Sequence, residues 1–271
     1  MNVCRLHNPD YETVVIYQMG KVGSSSVKHT LKGLCLPMNL YHVHALTQKR
    51  LDWLQNAYRN ASRVRGKAVV HDHLVEGMYL RKQLDRNTKQ PWKVITLIRD
   101  PIARNISTFF QSLNLFFPEW VKEHNNVQSA LVDHVEEMIE LFLNKADHQL
   151  PLVWFDKYLE PVFGVDVYKQ EFPVSKGYEI FKNDKVELLI IKLEDLDRCA
   201  SVAFKEFLGI ENFELKKANI TSEKVESEAY SRFKELIMVP DSYIDEMYSS
   251  EFVQHFYTRS EIDRFRSKWV S

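Results

Sequence analysis

One strand-to-helix junction constrains this chain more than any other segment. Val14-Val15-Ile16-Tyr17-Gln18 runs straight into Met19-Gly20-Lys21-Val22-Gly23-Ser24-Ser25-Ser26. An apolar strand leading to a small, hydroxyl-rich turn with one lysine has the make-up of an anion cradle. Glycine lets backbone amides approach a phosphate closely. The opening helix supplies unpaired N–H groups and the positive end of its dipole, and Lys21 adds a mobile full charge. The expectation is a phosphorylated ligand.

A second junction, Val94 to Ile98 followed by Arg99-Asp100-Pro101, also ends in positive charge. Asp100 is a good N-cap and Pro101 suits a first helical turn, where its missing N–H is not needed. Ile102, Ile106, Phe109, Phe110 and Leu113 recur at helical spacing and should face the core, with Arg104, Ser107 and Gln111 on another face. Ser107 can then point toward whatever Arg99 binds.

The first hundred residues alternate strand and helix. Thr13 to Gln18 precedes a helix through Leu34, Asn39 to Val43 a helix through Tyr58, and Lys67 to His71 and Lys93 to Ile98 read as further strands. Such alternation implies an α/β fold with a parallel sheet whose carboxyl ends share one ligand-binding rim. Lys21, His73 and Arg99 each lie just past a strand end and are expected to converge there. From about Phe116 to Phe172 the pattern becomes helical and aromatic, as an insertion packed over the rim would be. Gly177 to Lys182 and Val186 to Lys192 form a hairpin, which makes the sheet mixed. A helix closing on Phe207-Leu208-Gly209 follows, with others near Val225 to Ile237 and Ser260 to Trp269. No linker divides the 271 residues, which read as one domain.

A formal net charge of -1 argues against general nucleic-acid binding, so positive charge must act locally. Cys4, Cys35 and Cys199 suit neither a disulfide framework nor a thiolate metal site. No stretch reaches the roughly 18 apolar residues of a membrane span. A cytoplasmic protein is expected.

His71 and His73 alternate at a strand end and should share a face near the rim. His42 and His44 form a second pair, structural or substrate-side. A metal there would need a third ligand that spacing does not identify, so no metal is assigned. Trp120, Trp154, Phe155 and Tyr158 read as core or lid packing before sugar stacking. Glu119, Glu123 and Asp156 are acceptor-side candidates, and Asn219, Ser222, Lys224 and Tyr230 read as helix-start residues that could instead close over a nucleotide.

The loop departs from GxxxxGK[ST], because Lys21 precedes the second glycine and Asp72 is only a loose second-motif acid. A P-loop-like kinase thus loses ground. Lysine, small residue, glycine and hydroxyl residues in that order resemble the 5′-phosphosulfate loop of sulfotransferases that use 3′-phosphoadenosine 5′-phosphosulfate (PAPS). Arg99-Asp100-Pro101 with Ser107 eight residues after Arg99 is similar to that family's 3′-phosphate segment. Ile191 to Leu196 and Phe207 to Ile210 are similar to its late strand and helix. In overall style the chain looks most like bacterial capsular-polysaccharide sulfotransferases.

The resemblance implies a three-layer, P-loop-like sulfotransferase fold with a mainly parallel central sheet, flanking helices and a helical insertion at about 116–172. It implies PAPS as co-substrate, a carbohydrate acceptor and no required metal. It gives Lys21, Val22, Gly23, Ser24, Ser25, Ser26, Arg99 and Ser107 as nucleotide contacts, Lys21 as a catalytic group and His73 as general base. A catalytically inactive nucleotide- or glycan-binding relative is the non-enzymatic alternative.

Overall fold

The computed structural model describes residues 7–66, 71–84, 91–124, 133–216 and 224–269. Its centre is a five-stranded sheet of order β2-β1-β3-β5-β4, built from β1 (Glu12–Tyr17), β2 (Met38–Val43), β3 (Trp92–Ile98), β4 (Tyr178–Lys182) and β5 (Val186–Lys192). The first three strands and β5 run parallel, and β4 pairs antiparallel with β5. Val14 to Tyr17 in β1 and Leu188 to Ile191 in β5 are fully buried, as expected of strands covered on both faces. Because β1 has β2 on one side and β3 on the other, the chain changes winding direction between β1 and β3. Open α/β sheets bind ligands at such a switch point.

The helices over the rim follow local rules. After α1 (Ser24–Gly33) and β2, α2 (Gln48–Arg65) starts at Thr47, whose hydroxyl accepts from the Arg50 amide. It runs past the expected Tyr58 end to Gly66, whose φ of 66° stops it. In α4 (Pro101–Phe116), Asp100 Oδ1 accepts from the amides of Ile102 and Ala103, and Ile102, Ile106, Phe109 and Leu113 are buried as the periodicity requires.

The strand expected at Lys67 to His71 lies mostly outside the described residues. What is described is that Asp72 opens a helix, α3 (Asp72–Leu84), so His73 sits in a first helical turn. It does not alternate with His71 along a strand.

The 116–172 segment contains α5 (Pro118–Glu123), α6 (Val135–Lys145) and a π-helical turn at Phe155–Leu159. The expected helix residues Val127 and Leu131 lie outside the described residues. Val135, Met138 and Phe142 are buried. Trp154 and Phe155 belong to the core, the Trp154 Nε1–H donating to Thr96 Oγ1 at 3.2 Å. After α7 (Leu196–Leu208) and α8 (Lys224–Leu236), the tail forms α9 (Asp241–Ser249), α10 (Glu251–Phe256) and α11 (Arg259–Arg266). Neither α9 nor α10 was legible as a separate element. They bring Tyr248 to Asp100 (3.0 Å) and Tyr257 to Glu194 (3.2 Å), while Glu194 accepts the Asp100 amide at 2.8 Å. The tail thus buttresses the β3–α4 junction. Among the described residues, no helix is long and apolar enough to cross a membrane.

Helix α3 is pressed against the segment after β2. A Cβ at Gly77 would lie 2.6 Å from the Ala45 carbonyl oxygen and 3.2 Å from Leu51 Cδ2. Gly77→Ala is therefore predicted to lower unfolding free energy by about 1–3 kcal/mol, measured as a reduced urea midpoint. An unchanged midpoint would show that this backbone approach is not tight.

Candidate functional site

The residues after β1 leave ordinary backbone space. Gly20 has φ 90°, Lys21 φ 61° and Gly23 φ 85°. Left-handed geometry is routine for glycine and uncommon for lysine, and such strain gathers where a loop has work to do. Gly23 is constrained twice, since a Cβ there would run into Leu193 Cδ1.

Two arginines from the second junction hold this loop. Arg104 donates to the carbonyls of Met19 (2.6 Å) and Gly20 (3.3 Å), and Arg99 Nη1 donates to the Lys21 carbonyl at 3.0 Å. In a trans peptide the N–H points opposite to the C=O. The amides that follow those carbonyls, at Gly20, Lys21 and Val22, therefore point away from the arginines, and that of Gly20 is taken by Gln18 Oε1. Gly23 is the N-cap of α1 and supplies no side chain; its carbonyl accepts the Ser26 amide at 3.1 Å, and no capping side chain covers the amides of Ser24 and Ser25, which face the position an anion would take.

One cavity of about 1030 Å³ opens at this place. Lys21, Gly23, Ser24, Ser25, Ser26, His73, Arg99 and Ser107 all line it. Val22 does not, because its side chain is fully buried in the core, so only its backbone can serve a ligand. Among the described residues, six cations line the cavity, Lys21, Arg50, Arg65, Arg99, Arg104 and Lys145, and face one acid, Asp147. A chain that is nearly neutral as a whole has concentrated positive charge here. Arg104 is buried, hydrogen-bonded to carbonyls and Asn105 rather than to a carboxylate, and burial pulls it down to about 9. Arg50 stacks over Trp53, its Cζ 4.2 Å from the ring centroid, and its Nε has no partner among the described residues.

Both histidine pairs enter the same wall. The His44 and His73 ring centroids are 4.6 Å apart, and those of His71 and His73 are 5.3 Å apart. Gln18 orders the first pair. Its Oε1 accepts the Gly20 amide, so its NH₂ faces His42 Nε2 (3.1 Å) and His44 Nδ1 (2.8 Å). His42 Nε2 can accept from that NH₂, whereas His44 Nδ1 also lies 3.0 Å from the Gln18 carbonyl oxygen, which can only accept, so the tautomer decides which of its two contacts His44 makes. Ser24 Oγ also touches His42 Nε2, at 2.9 Å. Burial is the main cause that lowers His42 to about 2, His44 to about 4 and His73 to about 3. His73 Nε2 lies 2.9 Å from the Tyr58 hydroxyl, which burial keeps protonated by raising it to about 12.

The other expectations divide. Tyr230 does not line the cavity but lies near enough to Arg99 for that cation to offset part of the rise that burial gives its hydroxyl, whereas Asn219 and Ser222, and the side chain of Lys224, lie outside the described residues. Glu119, Glu123, Asp156, Trp120, Trp154, Phe155 and Tyr158 do not line the cavity. Trp53, exposed at its wall beside Phe116 (5.4 Å), does. Gln18, Arg50, Trp53 and Tyr58 escaped sequence reading, since each sits in an ordinary strand or helix pattern. Only the position of Gln18 at the last step before the loop could have signalled its role.

Residues 126–258, slightly under half the chain, match the NKWYS family model, described as "Putative capsular polysaccharide synthesis protein". No curated protein and no solved structure matches the chain. The family match supports a relationship to capsular-polysaccharide biosynthesis.

Proposed function

We propose that this protein is a sulfotransferase that moves a sulfuryl group from PAPS to a hydroxyl of a carbohydrate. The observation that carries the reading is that the Lys21 loop and the Arg99–Ser107 junction, 78 residues apart at their hydrogen bond, open on one cation-rich cavity. A carrier with phosphate groups at both ends needs two separate anion sites, whereas a simple adenylate needs one. The family match supports a carbohydrate acceptor.

In this mechanism the acceptor oxygen forms a bond to sulfur as the bond from sulfur to the bridging phosphate oxygen breaks in line. His73 takes the acceptor proton. Lys21, the loop amides of Lys21 and Val22, and Ser24 to Ser26 stabilise the charge that grows on the departing phosphate. Arg99 and Ser107 hold the 3′-phosphate. A neutral imidazole can accept a proton, but one pushed as low as His73 is a weak base. Bringing a multiply charged anion beside it favours the imidazolium, so donor binding itself raises its basicity. The P-loop-like kinase alternative would need oxygen ligands for Mg²⁺, and Asp147 is the one carboxylate among the described lining residues.

Calorimetry with 3′-phosphoadenosine 5′-phosphate and with adenosine monophosphate tests the two-site reading. The bisphosphate should bind at least about 10-fold more tightly, with that preference lost in Arg99→Ala and reduced in Ser107→Ala. Equal affinity would overturn it, and Mg²⁺-dependent transfer from ATP would point to the kinase. His73→Ala should cut sulfuryl transfer by 10² to 10⁴-fold, roughly the worth of a general base, while leaving bisphosphate affinity within about threefold. Loss of both together would make His73 structural.

The buried histidines also set a pH dependence. Their folded values lie below the ordinary 6.5, so the unfolded chain binds protons first as pH falls. Stability is fully present above about pH 6.5 and declines toward pH 3, each imidazole contributing up to about 1.4 kcal/mol per pH unit. Urea midpoints should be clearly lower at pH 5 than at pH 7.5. Carbon-detected imidazole titration should place His73 well below 6.5 in the free protein and higher with the bisphosphate bound.

A further inference from the structure

Outside the cavity, α5 and α6 meet at a compact group of side chains with no part in the chemistry above. His124 Nε2 lies 3.2 Å from Glu137 Oε2, and His134 Nδ1 lies 2.9 Å from Glu137 Oε1. The two imidazole centroids are 4.2 Å apart, edge to face, and one ligand atom from each of the three residues falls within 4.8 Å of the others. We propose that His124, His134 and Glu137 form a transition-metal site, best suited to Zn²⁺, that clips α5 to α6.

Donor chemistry and outer contacts both support this. Two imidazole nitrogens and a carboxylate oxygen are a zinc donor set that leaves a fourth position for water. With metal–ligand bonds near 2.0–2.1 Å, tetrahedral ligands stand about 3.3 Å apart. The contacts at 3.2 and 2.9 Å are near that value but fall on the two different oxygens of Glu137, so a shared metal needs the half-exposed His134 and exposed Glu137 side chains to rotate toward the more buried His124.

His124 Nδ1 is 2.7 Å from the Trp120 carbonyl, so it carries the proton and directs Nε2 at the carboxylate. That is the usual outer arrangement of a metal-bound histidine. The Trp120 indole N–H donates to Glu137 Oε2 at 3.3 Å and orients the carboxylate as well. As plain ion pairs on the surface these contacts would contribute little, because Glu137 is 54 % exposed. An imidazole binds zinc only through a nitrogen that carries no proton, so affinity should weaken as pH falls.

The three residues lie outside the cavity, while Phe117 just before α5 and Lys145 at the end of α6 line it. The clip would therefore fix the spacing of two wall elements without touching substrate.

Titrating ZnCl₂ into the full chain by calorimetry tests the proposal, with Co²⁺ absorption as a second readout. One zinc per chain and tetrahedral Co²⁺ bands are expected. His124→Ala and Glu137→Gln should each weaken binding by about 100-fold or more, and the double variant His71→Ala/His73→Ala should bind as wild type does. Glu137→Gln changes a surface group and keeps the fold, which circular dichroism can verify. The site is overturned if wild type takes up no zinc, if Glu137→Gln binds it equally well, or if removing His71 and His73 abolishes the uptake.

Discussion

Three backbone carbonyls held by two arginines are the interaction on which the candidate site depends. The bonds from Arg104 to Met19 and Gly20 and from Arg99 to Lys21 brace Lys21 in a left-handed conformation that its side chain disfavours. The same bonds turn the following amides toward the opposite side. Anion binding at the first junction is thus prepared by the second. The second is in turn held at Asp100 by Glu194, just after β5, and by Tyr248 of the tail, with Tyr257 of the tail bonded to Glu194.

This arrangement concentrates charge at a cost. Arg104 is buried beside Arg50 and Arg99, with Asp147 as the nearby acid, and the histidines answer by staying neutral rather than adding to the repulsion. A polyanion entering the cavity relieves the excess. The cation set, the uncapped start of α1 and the low proton affinity of His73 are therefore parts of one electrostatic arrangement that a multiply charged ligand would complete.

Much of this was legible in the residues because it rests on local chemistry. The glycine-lysine-serine turn, the Asp100-Pro101 cap, the buried runs of β1 and β5 and the Gly209 stop each declare themselves over a few positions. What was hidden depends on distance. Arg104 reads as one polar residue on a helix face until β1's loop is placed against it, and Gln18 gains its role only when two histidines of another strand arrive. Trp53 sits within the ordinary periodicity of α2. His73 was selected by its place in the chain, but the strand alternation offered for it gives way to a helical first turn.

The family match and the anion cradle occupy different parts of the chain. Lys21, His73, Arg99 and Ser107 all precede residue 126, where the match begins, so neither observation is a restatement of the other. The matched segment reaches the cavity through residues that include Phe142, Lys145, Asp147 and Leu150. On the proposed reading, donor recognition needs fixed backbone and buried cations, which the loop after β1 and Arg104 of α4 supply. Recognition of a polymer acceptor needs a wall that can vary without disturbing them, and an insertion between β3 and β4 can vary in that way while the strands stay in register.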